Sequence, residues 1–347
     1  MSPLPPQIES GTLPTALAPM QNVTDRAFMK VIARIGPPDY FFTEYFSVHS
    51  ASSLDPEIIR SIEENETGRP VFAQVLGNDS KALGDAANQL ERYPIAGVDL
   101  NLGCPAPKIY KRNAGGGLLR APDYVDHIIG EMRDRIEGSF SVKCRIGFSD
   151  TQPFSRCLRS IERHKVNFLT VHGRTVKQMY RGDVDYLKIR EAVERLSCPV
   201  LANGNLSSAE RAREVAEYTG SYGSMIGRGA VRNPWIFRQV REHSAGKEVF
   251  QPTLGDVAGY IDDLNRTKKE YFPAVEEKYR IAHLKRYLIF IAEGVDPEGQ
   301  FLHEVRRVGS EKELFSVCEE HLLNPSKRDN FFANEPFPGV IARPNCE

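Results

Sequence analysis

Two glycine-bearing turns and one cysteine carry the chemistry most readily read from this chain. Asn203-Gly204-Asn205 and Gly227-Arg228-Gly229 each close a short apolar run. Glycine lets main chain approach phosphate oxygens, and arginine adds a forked donor. Either turn alone has an ordinary structural reading, but the pair points to a phosphorylated ligand. Cys104 stands between Gly103 and Pro105, at the end of another apolar run and ahead of Gly115-Gly116-Gly117. An arbitrary cysteine is usually a buried structural thiol; this setting favours a working one. A thiol of ordinary pKa, about 8.5, is mostly protonated at neutrality and suits a general acid better than a thiolate nucleophile. The three glycines are expected to close over Cys104 or to approach a ligand.

Further runs end in Lys143 and His172. A lysine aimed into a cleft is costly unless it meets negative charge, such as the anionic edge of a reduced flavin. His172 can donate to a phosphate or to a ring edge. Gln74 can both donate to and accept from a pyrimidine-like edge. Met20, after Pro19, offers backbone and soft apolar cover for a flat ring. Taken singly, His172, Gln74 and Met20 also have bland readings as core or structural residues.

Eight short apolar runs position these residues: 15–20, 41–46, 71–77, 97–103, 141–147, 168–174, 199–205 and 223–229. Amphipathic stretches such as 25–34, 81–92, 122–135, 184–195 and 207–218 lie between them, the last with a capped start at Ser207 and Ser208. Alternation of this kind predicts parallel strands, and eight units predict an α/β fold, a (β/α)8 TIM barrel. A doubly wound sheet with a dinucleotide turn would need GxGxxG, which is absent. Barrel active sites lie at the C-terminal strand ends. Those ends carry Met20, Glu44, Gln74, Asn101 with Cys104, Lys143 with Arg145, His172 with Arg174, Asn203, and Arg228. So many polar strand ends meeting at one mouth have no use in a packed core.

The predicted organisation is a loose lead-in at 1–14, a barrel domain at 15–245, an all-helical C-terminal domain at 246–322 and an extended tail at 323–347. With 45 Lys and Arg against 46 Asp and Glu, the net charge of -1 excludes a uniformly basic nucleic-acid binder but not a local patch. The helical domain supplies one candidate: Lys278, Arg280, Lys285 and Arg286, with His283 and Tyr287 interleaved, then Arg306 and Arg307. The competing reading is a solvated face paired with Glu276 and Glu277. Arg69, Lys108, Lys111, Arg112 and Arg181 are expected to add charge around the mouth. Six cysteines without a CxxC pair exclude a zinc ribbon or thioredoxin-type centre, and no metal is expected. The N-terminus has no signal-peptide pattern and no run is long enough to span a membrane, so the expected compartment is the cytoplasm.

Over residues 17–237 the chain resembles the tRNA-dihydrouridine synthases. The matching stretches are LAPMQNVTDRAF, TEYFS, FAQVLG, GVDLNLGCPAPK with GGGLL, SVKCRIGF, TVHGRTVKQMYRGDVDY, VLANGNL and MIGRGAVRNPWIF. The NGN and GRG turns occur in many flavin barrels; with N-x-GCP and HGRT the set is specific. The resemblance implies an oxidoreductase that reduces the C5–C6 double bond of selected tRNA uridines by hydride from reduced FMN, with NADPH re-reducing the flavin. It implies that Pro19, Met20, Gln74, Lys143, His172, Asn203, Gly204, Asn205, Gly227 and Arg228 hold FMN. Cys104 is then the proton donor, and Asn101, Arg145 and Arg174 are candidates for the uracil or its neighbours. Lys278, Arg280, Lys285 and Arg286 are the expected tRNA contacts, and a monomer is expected. Asn205 stands where relatives often carry an acidic or other polar residue, Tyr186 where Trp is common, and the tail has no counterpart. Two other readings stay open: a flavin-dependent reductase of a free pyrimidine, and a non-catalytic tRNA-binding barrel.

Overall fold

A computed structural model describes residues 4–341. Its strands are β1 (Thr15–Leu17), β2 (Phe41–Phe42), β3 (Phe46–Val48), β4 (Val71–Gly77), β5 (Gly97–Leu102), β6 (Phe140–Arg145), β7 (Phe168–His172), β8 (Val200–Asn203) and β9 (Gly223–Ile226). Each strand pair is parallel, in the order β1-β9-β8-β7-β6-β5-β4-β2, with β3 also on β4. A bridge between Ala16 and Tyr40 closes the ring. Nine segments make eight barrel positions, because the second position is broken. Phe41 aligns with Val71 and Phe46 with Val75, so β2 and β3 are two halves of one strand. At the break the Thr43 hydroxyl accepts from the Gln74 N–H at 3.1 Å, replacing a ladder bond with a side-chain bond.

Side chains alternate across each strand, so every second residue enters the barrel. The lower interior is a separate apolar cluster that includes Phe42, Phe72, Phe168, Leu201 and Met225. Phe42 stacks on Phe72 at 5.0 Å, and Phe168 meets Phe72 edge-on at 5.2 Å. From Leu4 onward the lead-in is seated on the barrel: Leu4 joins this cluster, and the Tyr40 hydroxyl donates to Pro5 O at 2.8 Å. Apolar filling below forces the polar residues of the same strands into the upper half.

Helices cover the barrel, starting at side-chain caps such as Asp25, Asp55, Asp79, Asp185 and Ser208. Helices Pro56–Glu63 and Phe154–Arg163 complete the alternation. Beyond the barrel, helix Leu254–Tyr271 begins in a capping box of Thr253 and Asp256, and helix Glu277–Ile291 follows. They dock through Phe28 against Tyr287, ring centroids 5.2 Å apart. Buried Lys268 pairs with Asp25 and donates to the Tyr287 hydroxyl at 2.9 Å. Among the described residues no helix is long and apolar enough to cross a membrane. The described tail packs along the molecule: Phe331 bridges Thr253, and buried Phe332 lies against Gly294.

Candidate active site

Above the aromatic floor lies a layer of polar side chains that serve one another. Asp99 accepts from Gln74 Nε2 at 2.7 Å and from the Ser141 hydroxyl at 2.6 Å. Gln74 Oε1 accepts from Asn101 Nδ2 at 2.8 Å. Asn101 Oδ1 accepts the N–H groups of Gly103 at 3.0 Å and Cys104 at 2.9 Å. This relay ties the barrel interior to the backbone of Cys104. Burial pushes the Asp99 carboxyl up to about 6, against the bonds from Ser141 and Gln74 and the charge of Lys143.

The relay ends at a cavity of about 970 Å³ on the C-terminal rim. That is the upper end of the ordinary range for small-molecule sites, roughly 300–1,000 Å³. Pro19, Met20, Asn101, Cys104, Lys143, Arg145, His172, Asn203, Gly204, Asn205, Gly227 and Arg228 all line it. Residues from opposite ends of the barrel sequence therefore share one chamber. Cys104 is a half-buried, reduced thiol on its wall. The glycine run packs behind the thiol instead of forming a mobile cover. A Cβ at Gly115 would stand 3.0 Å from Cys104 Cβ, and Gly116 N–H donates to Cys104 O at 3.2 Å.

Four sequence candidates hold protein main chain or one another. Gln74 is fully buried one layer below the chamber, supporting Asn101. Asn101 reaches the wall but spends its oxygen on the Cys104 turn. Arg145 donates from Nε to Gly103 O at 3.0 Å and from Nη1 to Thr175 O at 2.8 Å and Met179 O at 2.6 Å. Arg174 donates to Gly182 O from two nitrogens, at 3.0 and 2.7 Å. Glu44 faces away, into a smaller cleft of about 290 Å³ between barrel and helices.

The chamber is electropositive. Lys143 Nζ donates to Asn203 Oδ1 at 3.3 Å, and Asn203 is held in turn by its amide donating to Met225 O at 2.7 Å. Burial, with help from Arg145, lowers the Lys143 ammonium to about 8. Burial, and then the charges of Arg145, Lys143, Arg174 and Arg228, hold His172 well below its ordinary range, so its imidazole is neutral. Its Nδ1 is buried without a hydrogen-bond partner. A buried orphan nitrogen beside a cluster of cations calls for a polar, electron-rich ligand. The turns supply the cradle: Gly204 has φ of 119° and Asn205 of 50°. A Cβ at Gly204 would stand 3.5 Å from His172 Nε2, and one at Gly227 3.4 Å from Met20 Sδ. These residues fit a flat, phosphorylated cofactor such as FMN.

The basic residues divide. Arg286 and Lys108 line the chamber. Arg280 pairs with Glu311 at 2.9 Å and lines the smaller cleft. Lys278 pairs with Glu276 at 3.3 Å, and Lys285 donates to Arg306 O at 3.1 Å. Arg69 sits at the opposite end of the barrel, donating to Pro6 O and Asp39 O, because it precedes β4 rather than following it. Sequence reasoning missed Tyr180, whose ring lies 4.8 Å from the Arg228 guanidinium carbon. Its place inside the stretch TVHGRTVKQMYRGDVDY, which follows β7, was the available signal. Arg232, inside the stretch MIGRGAVRNPWIF, also lines the chamber, as do Phe290, Glu293 and the tail residues Pro336–Pro338, Val340 and Ile341, which no sequence pattern announced.

A closed parallel barrel with a thiol, a lysine and two glycine turns on one rim is the frame of a (β/α)8-barrel oxidoreductase. The chain belongs to the family described as Dihydrouridine synthase (Dus), which matches residues 16–326. It is 31% identical over 323 residues to the tRNA-dihydrouridine(16) synthase of Neisseria meningitidis, covering 89% of this chain and 95% of that protein. The tRNA-dihydrouridine synthase B of Pasteurella multocida is 30% identical over 311 residues, 87% and 91% of the two chains. That of Escherichia coli K12 is 29% identical over 317 residues, 88% and 95%. Among solved structures, the old yellow enzyme homologue from Zymomonas mobilis overlays with a TM-score of 0.46 at 11% identity, covering 69% of this chain and 90% of that one.

Proposed function

We propose that this chain forms dihydrouridine in tRNA, with FMN held by the Asn203–Asn205 and Gly227–Arg228 turns and NADPH as the electron source. The observation that carries the reading is that Cys104, Lys143, His172, Asn203 and Arg228 share one chamber. Bound FMN supplies the hydride, which is chemistry no side chain provides. The residues do the rest. Arg228 and the two glycine turns take the phosphate. Lys143, aimed by Asn203, would hold a positive charge beside the bound group. Neutral His172 completes its hydrogen bonding on the same ligand.

A uridine inside a tRNA stack must be turned outward before it enters such a chamber. Arg286 and Lys108 stand in the wall to meet its flanking phosphates. Cys104 Sγ then gives a proton to the carbon next to the one that receives hydride. Asn101, by gripping the Cys104 N–H, keeps that sulfur in place, and Arg145 braces the preceding Gly103.

Cys104→Ala tests the assignment. The variant is expected to bind flavin and to accept electrons from NADPH at the wild-type rate, while dihydrouridine formation in unmodified tRNA falls about 10²–10⁴-fold, the ordinary worth of a general acid. Wild-type tRNA reduction by the variant removes Cys104 from the mechanism. Free uridine offered in place of tRNA is expected to be a poor acceptor; if it matches tRNA, the substrate is a free pyrimidine.

A further inference from the structure

The described tail runs from the start of helix Leu254–Tyr271, beyond the barrel, to the chamber and is fastened at each step. Phe332 N–H donates to Pro252 O at 2.8 Å, and its ring fills a cradle at Gly294, where a Cβ would stand 2.4 Å from it. Arg232, 1% exposed, donates to Ala333 O at 2.7 Å, to Asn334 O at 2.5 Å and to Ser207 O at 2.9 Å. One guanidinium thus joins the tail to the turn that follows β8. Phe337 N–H donates to Glu293 O at 2.8 Å, and the next residues reach the rim. Arg306 closes the run by donating to Ile341 O at 3.4 Å.

We propose that residues 336–341 form a substrate-contacting wall that receives unstacked nucleotides beside the target uridine. This rests on the tRNA reading above. The wall's composition is what single-stranded RNA asks for. The apolar rings of Pro336, Phe337 and Pro338 and the 66%-exposed Ile341 lie on the same chamber as the cation Arg286. Base faces gain from apolar and aromatic contact, and phosphates from the cation. The prolines fix the local backbone, so little order is lost on contact. The family match ends at residue 326, before any of these residues. The chemistry of the reaction is complete without the wall, and its contribution is to which nucleotides are accepted.

The test uses full-length protein carrying Phe337→Ala or Ile341→Asp. Flavin content, melting temperature and flavin reduction by NADPH are measured first, then kcat and KM on unmodified tRNA, with dihydrouridine mapped by position. Ile341→Asp sets a negative charge among phosphates on an exposed side chain, so it carries the test if Phe337→Ala folds poorly. Flavin behaviour within about twofold of wild type and a KM for tRNA raised about tenfold are expected, the ordinary order of loss when a base contact is removed. Unchanged KM in Ile341→Asp overturns the wall, and so does faster turnover, which marks the tail as an obstruction. Wild-type protein that makes no dihydrouridine overturns the functional reading itself, a result seen before any variant is compared.

Discussion

Lys143 shows how burial becomes a measurable property of one residue. Its ammonium is disfavoured by the protein around it, so in the free enzyme it sheds its proton as pH rises through about 8. An anion beside it stabilises the charged form and is stabilised in return. Below pH 8 wild-type protein should therefore favour the reduced, anionic cofactor over the oxidised one more strongly than Lys143→Met does. As pH climbs past 8 that advantage should shrink, because the unliganded lysine is already neutral and must first be charged. Spectroelectrochemical midpoint potentials of the two proteins between pH 6.5 and 9.5 check this; parallel curves would show that Lys143 does not face the charged edge. The strand-end rule made Lys143, His172, Asn203 and Arg228 legible in the sequence. It failed to distinguish Gln74 or Arg145 from them, because sequence tells which way a side chain points but not whether another protein group already occupies its polar atoms.

At the scale of elements, the Asn203–Asn205 and Gly227–Gly229 turns are one construction. Gly229 is the second residue of the short helix Arg228–Arg232 that follows β9, and a Cβ there would stand 2.4 Å from Leu206 O, on the turn that follows β8. Backbone cannot yield cheaply at that distance, so Gly229→Ala must push the turns apart. Overpacking of this sort costs about 1–3 kcal/mol. The expected result is protein that folds with a lowered melting temperature and binds FMN at least about tenfold more weakly, read by flavin fluorescence. Wild-type affinity would mean that the turns do not act together. Most strands and helices were legible from period and caps. The break between β2 and β3 was not, since Thr43 trades a ladder bond for a side-chain bond without disturbing the apolar pattern. The tail's seating was not legible either: its anchors are main-chain groups, carbonyls taken by Arg232 and N–H groups given to Pro252 and Glu293, and main chain has no sequence signature.

Across the whole molecule, the loop that leads from Met20 to Asp25 is clasped from two sides. The Tyr287 hydroxyl donates to Val23 O at 2.6 Å and His283 Nε2 meets Asn22 O at 2.7 Å, both from the helical domain. From the barrel, Glu44 accepts from Val23 N–H at 3.1 Å. A helix read alone shows its basic residues but not which of them turn to a neighbouring domain, and so Arg286, Arg280 and Lys278 could not be sorted in advance. Burial, reinforced by Asp25 and opposed by Lys268, pushes the Glu44 carboxyl up to about 7 from an ordinary 4.5. The folded protein therefore holds a proton there that the unfolded chain has released. Glu44 contributes most to stability below pH 4.5, and that contribution is lost as pH rises toward 7. Glu44→Gln keeps the oxygen that accepts from Val23 and removes the titration. It should melt near the wild-type temperature at pH 5 and several degrees above it at pH 8, where the buried carboxylate would otherwise stand charged beside Asp25. A Gln variant that melts lower than wild type at pH 8 would mean that the charge on Glu44, through Lys268, helps hold the two domains together.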